Sequence, residues 1–216
     1  MPRVPSAALL LVLLLTACQS AYYNALEKGG IHKRDLFVDR IEDVKDAQVD
    51  GQKQFRTALE QFQYTVNFRG GELEEAYKRL NAEYQASEKA AGRIRNRIKA
   101  VESVSKALFD EWEDELRLYT SDSLRRQSKG QLDDTRKRYK ELLAIMKKAE
   151  QSLAPVLNTL RDNTLYLKHN LNAQAITALQ NEFGTISNDI NRLIHDMEEA
   201  IAASDRFIAE FNRQRL

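Results

Sequence analysis

The residues that could do chemistry in this sequence are few: one thiol, Cys18, three histidines, His32, His169 and His195, and a large supply of carboxylates. His195 and Glu198 share one face of a helix, the kind of spacing from which metal sites in helical bundles are built. Such a centre needs several acids and histidines pointing inward. The clean apolar stripes of this chain carry none, so no metal is expected and the pair reads as a solvated edge. His32 and His169 fall beside breaks in the pattern, with no nucleophile or carboxylate nearby in the sequence to complete a catalytic set. A phosphate-cradling loop requires Gly-Lys followed by Ser or Thr, and no lysine here precedes either residue. No catalytic residue is assigned, and an enzyme is not expected.

Cys18 is the only cysteine, so it cannot form a disulfide within the chain. Arg3 gives a positive start, and the run AALLLVLLL from Ala7 to Leu15 matches the apolar stretch of a signal peptide. A spanning helix would need roughly 20 such residues. Leu15, Thr16, Ala17 and Cys18 then resemble the bacterial lipobox. That resemblance implies that residues 1–17 are a signal peptide cut between Ala17 and Cys18, and that the Cys18 sulfur takes diacylglycerol. A third acyl chain can join the new amino terminus, and each buried methylene contributes about 0.8 kcal/mol, so several chains hold far more firmly than one. A buried core thiol is the competing reading, but it leaves the apolar run unexplained. Gln19 stands where an Asp would resemble an inner-membrane retention signal. The implied address is the inner leaflet of the outer membrane, facing the periplasm. The covalent lipid is the only cofactor expected, and the bilayer is the first partner.

The elements behind this tether are helices. Eight glycines and three prolines, two of them in the leader, leave few interruptions over 216 residues. Residues 18–32 form a lead in which Tyr22 and Tyr23 either rest in the bilayer interface or pack on the body. Breaks at Asn67 to Gly71, Thr120 to Ser123 and Asn170 to Asn172 then divide residues 33–216 into four long segments of a single elongated domain. The second carries apolar residues at alternating steps of four and three: Leu73, Tyr77, Leu80, Tyr84, Ala91, Ile94, Ile98, Val101, Leu108 and Trp112, with Ser87 and Ser105 in step. The third runs from Leu132 through Tyr139, Met146 and Leu153 to Leu167, and the fourth from Ile176 to Phe211 with only Ser204 polar.

The first segment is weaker, because Gln48, Gly51 and Thr65 interrupt a stripe of Phe37, Ile41, Val44, Phe55, Ala58 and Phe62. A looser or locally bent helix is expected there. Pro155 lies inside the third stripe, yet the spacing continues past it, which predicts a kink and not an end. Ala90, Ala91 and Gly92 mark either a close backbone approach or a flexible point. Glu72, Glu74 and Glu75 suit a helix start, and Asn172 suits an N-cap. Short connections make successive helices antiparallel, and helices of about 45 residues extend about 70 Å. The fold class is all-α: an elongated antiparallel helical bundle, or coiled coil, of about four long helices.

The charges balance at 33 basic against 32 acidic, which gives no pull toward nucleic acid. They are clustered, however. Asp110, Glu111, Glu113, Asp114 and Glu115 crowd around Trp112, and Arg125, Arg126, Lys129, Arg136, Lys137, Arg138 and Lys140 follow the next break. A helical hairpin would bring the two groups together as exposed ion pairs, each contributing only about 0 to 1 kcal/mol. The sharper alternative has Arg136, Lys137 and Arg138 reaching an anionic envelope ligand: lipid, lipopolysaccharide or peptidoglycan. Leu59, Val66, Phe109 and Leu116 lie off the stripes and either make extra helix contacts, support self-association, or widen the core.

Several stretches are distinctive together: AYYNALEKGGIHKRDLFVDR from Ala21, GGELEEAYKRLNAEY from Gly70, ALFDEWEDEL from Ala107, SLRRQS from Ser123 and YLKHNLNAQAI from Tyr166. With them the chain resembles the uncharacterised bacterial lipoprotein family catalogued as domain of unknown function 2959. The resemblance implies a helical envelope lipoprotein and carries over no catalytic residue. Two classes of function are expected to compete. One is a structural or adaptor rod that meets an envelope protein or a second copy of itself; the other is a binding module for an anionic envelope ligand. The sequence ends in Arg215 and Leu216 and not in the lysine of Braun-type lipoproteins, so any contact with peptidoglycan is expected to be noncovalent.

Overall fold

A computed structural model describes residues 23, 29–30, 32–68 and 73–213. The leader, Ala17, Cys18, Gln19, Tyr22, Gly70, Gly71 and Glu72 lie outside the described residues. The rest is all-α, in five helices: α1 (Lys33–Val66), α2 (Leu73–Leu116), α3 (Asp122–Gln151), α4 (Leu153–His169) and α5 (Ala173–Arg213). α3 and α4 form one limb, so the bundle has four. Each of its connections is short, which sends the limbs up and down in turn. α1 packs on α2 and α5, and the α3–α4 limb packs on the same two, so α1 and that limb stand on the diagonal. With 44 residues, α2 is about 66 Å long.

The stripes read from the sequence face one another inside this bundle. Ile94, Ile98 and Val101 of α2, Met146, Leu153 and Leu160 of the third limb, and Ile186, Ile190 and Leu193 of α5 have no solvent exposure. Burying each such side chain stabilises by about 1.5–3 kcal/mol relative to leaving it in water. Flanking residues widen the stripes. Val66 and Phe109 are buried, and Leu59 and Leu116 pack against the core, so these off-stripe residues serve the interior of the single chain.

Phe37 of α1 is the point where all four limbs meet. Its ring lies 6.0 Å from Phe109 of α2, and 5.5 Å from Tyr139 of α3 and from both Phe207 and Phe211 of α5, each edge to face. Edge-to-face pairs put the positive ring edge on the negative face and add about 0.5–1.5 kcal/mol beyond area burial. Toward the opposite end of the bundle the described residues have one ring pair, Phe62 on Phe183 at 6.3 Å.

The first helix corrects an expectation. α1 is unbroken, and Gln48, Gly51 and Thr65, which interrupt its apolar stripe, are themselves buried seam residues. Gly51 is there because two helices meet where its side chain would be: a Cβ added to it would stand 2.9 Å from Cδ1 of Ile94, with Met197 of α5 close behind. Thr65 returns its hydroxyl to the Gln61 carbonyl at 2.8 Å. Gln48 has no such solution, and neither atom of its amide finds a partner among the described residues. Gly92, by contrast, faces open space, so the close-packed part of the small-residue stretch is Ala90 and Ala91.

The interruption near Pro155 falls at Ser152. A proline ring collides with the carbonyl four residues earlier and offers no N–H to it. That carbonyl belongs to Gln151, the last residue of α3, and Pro155 itself sits in the first turn of α4, where an N–H would be unpaired anyway. The stripe continues across this single-residue break, as the spacing predicts. Asn172 also behaves as predicted: its side-chain oxygen accepts from the Ala175 N–H at 3.0 Å at the start of α5.

Candidate functional site

The antiparallel order gives the bundle two unlike ends. The proximal end holds the start of α1, the end of α2, the 117–121 turn, the start of α3 and the end of α5. The distal end holds the end of α1, the start of α2 and the 170–172 connection. Tyr23 belongs to the proximal half: it is buried, and its hydroxyl lies 2.9 Å from that of Ser103 on α2. Of the two readings for this tyrosine, packing on the body is the one observed. Two turns nearer the pole, Lys33 pairs with Glu111 at 2.8 Å, Arg34 covers the Trp112 ring at 4.1 Å, and the Trp112 indole N–H donates to Ser128 across to α3 at 2.9 Å.

The side chains of the basic stretch of α3 diverge. Arg136 turns toward α2, where it is hydrogen-bonded to Glu113, reaches the Phe109 carbonyl at 3.4 Å and lies over the Phe109 ring. The hydrogen bond from Arg136 holds the Glu113 carboxyl below the usual range. Arg138 turns the other way and pairs with Glu210 of α5 at 3.4 Å. Lys137 between them is exposed and, with Lys140, has no carboxylate within ion-pair range among the described residues. These two lysines share a surface depression with Arg136, Asp133 and Glu141. Much of the acidic cluster around Trp112 is likewise internally matched: Asp110 with Lys106, Glu111 with Lys33, Glu113 with Arg136 and Asp114 with Arg117.

A polar cluster that the sequence reading missed joins the Ser152 break to α5. Asp196 is almost fully buried, accepts a hydrogen bond from the Ser152 hydroxyl and meets Lys148 at 2.9 Å. Burial pushes the Asp196 carboxyl up, but the bonds from Ser152 and Lys148 outweigh it and leave it lowered. Lys148 also meets Glu199 at 2.9 Å, and His195 approaches the same Glu199 at 3.5 Å. His195 therefore pairs with Glu199, while Glu198 faces Arg56 of α1 at 3.5 Å. Asp196, Lys148, Glu199 and His195 thus form a chain of contacts that runs from the buried carboxylate out to the exposed imidazole. No cluster of three or more potential metal ligands occurs among the described residues. The cue available in the sequence was Pro155, whose break leaves polar backbone that a side chain must staple.

The distal half carries a further recess. Thr159, Asp162, Asn163 and Tyr166 of α4 and Ala178 and Glu182 of α5 line a cleft of about 380 Å³. Its charged residues are both acidic, which disfavours an anionic ligand. Tyr166 in this lining is exposed, as are Leu165 and Leu171 nearby in the chain and, on α1, Tyr64, over whose ring Arg79 lies at 5.2 Å. Exposed apolar side chains of this kind are a surface feature that partners use. No helix among the described residues is long and apolar enough to cross a membrane.

Residues 22–211 match the model of a family described as Protein of unknown function (DUF2959). No curated protein and no solved structure matches the chain.

Proposed function

Because the chain belongs to the DUF2959 family, whose description assigns no activity, we propose that it is a membrane-tethered spacer of the bacterial envelope, an adaptor rod held at its proximal end by lipid on Cys18. The observation that carries this reading is the placement of Tyr23 on Ser103. It fixes the chain that leads back to Cys18 on the proximal half, and so leaves the exposed Tyr64, Leu165, Tyr166 and Leu171 at the end farthest from the tether. The interior agrees with a stiff rod, since the seam side chains of the described residues pack against each other along its length. On this reading the periplasmic distal end meets an envelope protein.

A photo-crosslinking residue in place of Tyr166, used in living cells and followed by mass spectrometry, tests the proposal. One dominant envelope protein is the expected product. Recovery of lipid or glycan alone, or of nothing above the level seen with the crosslinker on the flank at Lys89, would overturn it.

The unpaired Lys137 and Lys140 favour a second reading, a noncovalent hold on an anionic envelope polymer such as peptidoglycan or lipopolysaccharide. Reversing both charges would then abolish sedimentation with purified cell wall, and unchanged sedimentation would remove this reading while leaving the adaptor.

A further inference from the structure

We infer that the proximal turn between α2 and α3 beds into the lipid surface that carries the Cys18 anchor, so that the rod is held at two points and stands away from the membrane. The inference rests on the lipid-tether reading above. Three large apolar side chains are left in water at this turn: Leu118 at 78% exposure, Leu124 at 54% and Tyr119 at 39%. They lie outside every seam and belong to neither the buried core nor the residues packed against it. Tyrosine and leucine at such a place suit the boundary between headgroups and acyl chains.

Tether length decides what covers them. From Cys18 to Tyr23 the chain spans at most ~17 Å, and the tyrosine side chain adds about 6 Å to its hydrogen bond on Ser103. From Ser103 to the end of α2 at Leu116 is about 20 Å along the helix axis, whereas back to Leu73 it is about 45 Å. A fully drawn tether therefore brings Cys18 only to the level of the turn. Any slack pushes Leu118 deeper than the lipidated residue or tilts the rod onto the bilayer. The distal end lies beyond the reach of the same tether, so an upright rod has one orientation.

Arg117, Arg125 and Arg126 flank the apolar residues; Arg117 holds Asp114 of α2, Arg125 holds Asp122 of α3, and Glu115 is the remaining exposed carboxylate of the stretch. Arg126 is exposed with no carboxylate within ion-pair range among the described residues. Their long stems can lie along the interface with the guanidinium groups at the phosphates.

The test uses full-length protein made in a lipidating bacterium and reconstituted in vesicles of phosphatidylethanolamine and phosphatidylglycerol. Cys18 is the only native cysteine, so Leu118→Cys, or Leu171→Cys at the distal end, supplies a single labelling site for a nitroxide once Cys18 is acylated. The expected result is a preference for relaxation by oxygen over a water-soluble nickel chelate that is several-fold higher at 118 than at 171. Acylated protein in which 118 is as wet as 171 overturns the docking and leaves the tether standing. An unmodified thiol at residue 18 overturns both. Dipolar coupling between labels at 118 that grows with protein density, without the oxygen preference, assigns the turn to a second copy and overturns the lipid contact.

Discussion

The hydroxyls of Tyr23 and Ser103 stand 2.9 Å apart, which fastens the chain ahead of α1 to the flank of α2. A hydrogen bond of this kind contributes about 0.5–1.5 kcal/mol net. Tyr23→Phe keeps the ring and removes the bond, so the expected change is local. Amide exchange should quicken at residues 32–36 by up to about tenfold, with the melting temperature nearly unchanged. Exchange in Tyr23→Phe equal to the parent would mean that the hydroxyl contributes nothing to fixing the lead.

Phe37 meets rings from α2, α3 and α5 at once, so its removal takes a partner from every other limb. Phe37→Ala is expected to cost about 3–5 kcal/mol, the range for aromatic truncation in a packed core. Urea denaturation followed by circular dichroism reads it. Phe62→Ala, with the single ring partner Phe183, should fall lower in that range, and the reverse order would refute the role given to Phe37.

Gln48 is fully buried and its amide is unmatched among the described residues. An unsatisfied polar group of this kind costs about 1–3 kcal/mol. Gln48→Met keeps the length of the side chain and removes the amide, and is expected to raise stability by about that amount in the same denaturation experiment. A loss of stability would show that the amide makes a bond that these contacts do not include.

Asp196 carries the acid sensitivity of the Ser152 break. Its carboxyl is lowered in the folded state by Ser152 and Lys148 against the opposing effect of burial. The unfolded chain therefore takes up the proton first as pH falls. The stabilisation is fully present above the ordinary aspartate value of about 3.9 and is lost as pH drops through the lower folded value. Asp196→Asn is expected to lower stability at neutral pH and to flatten the fall in stability below about pH 4. A variant whose acid-unfolding curve is parallel to the parent's would assign that fall to other carboxylates.

The residues explain which parts of this molecule were legible in advance. Every member of the third stripe, from Leu132 to Leu167, is buried, and even Thr135 and Asn163 lie in step. Spacing reports the inward face of a long helix whatever the residue type, provided enough neighbours are apolar. In α1 three of the seam residues are Gln48, Gly51 and Thr65, so composition suggested weakness where geometry shows close packing. The reason is that Gly51 is chosen for what it lacks, and a missing side chain carries no hydropathy signal. Polar residues put the break before α3 at Thr120 to Ser123, whereas the turn runs over 117–121, and Leu118 and Leu124 belong to no stripe.

Contacts between limbs were the least legible. Consecutive residues on a helix point about 100° apart, so Arg136 and Arg138 serve α2 and α5 separately although the sequence presents them with Lys137 as one basic run. Asp196 beside Met197 looked like an ordinary polar neighbour of the seam. Its partners, the Ser152 hydroxyl at the break and Lys148, both come from the neighbouring limb.

The even number of limbs places Lys33, which opens α1, and Arg213, which closes α5, at the same pole of the bundle. A reporter fused beyond Arg213 would crowd the Phe37 cluster and the turn at Leu118. An epitope spliced between Asn170 and Asn172 would ride at the other pole, and an antibody against it would report which pole faces outward.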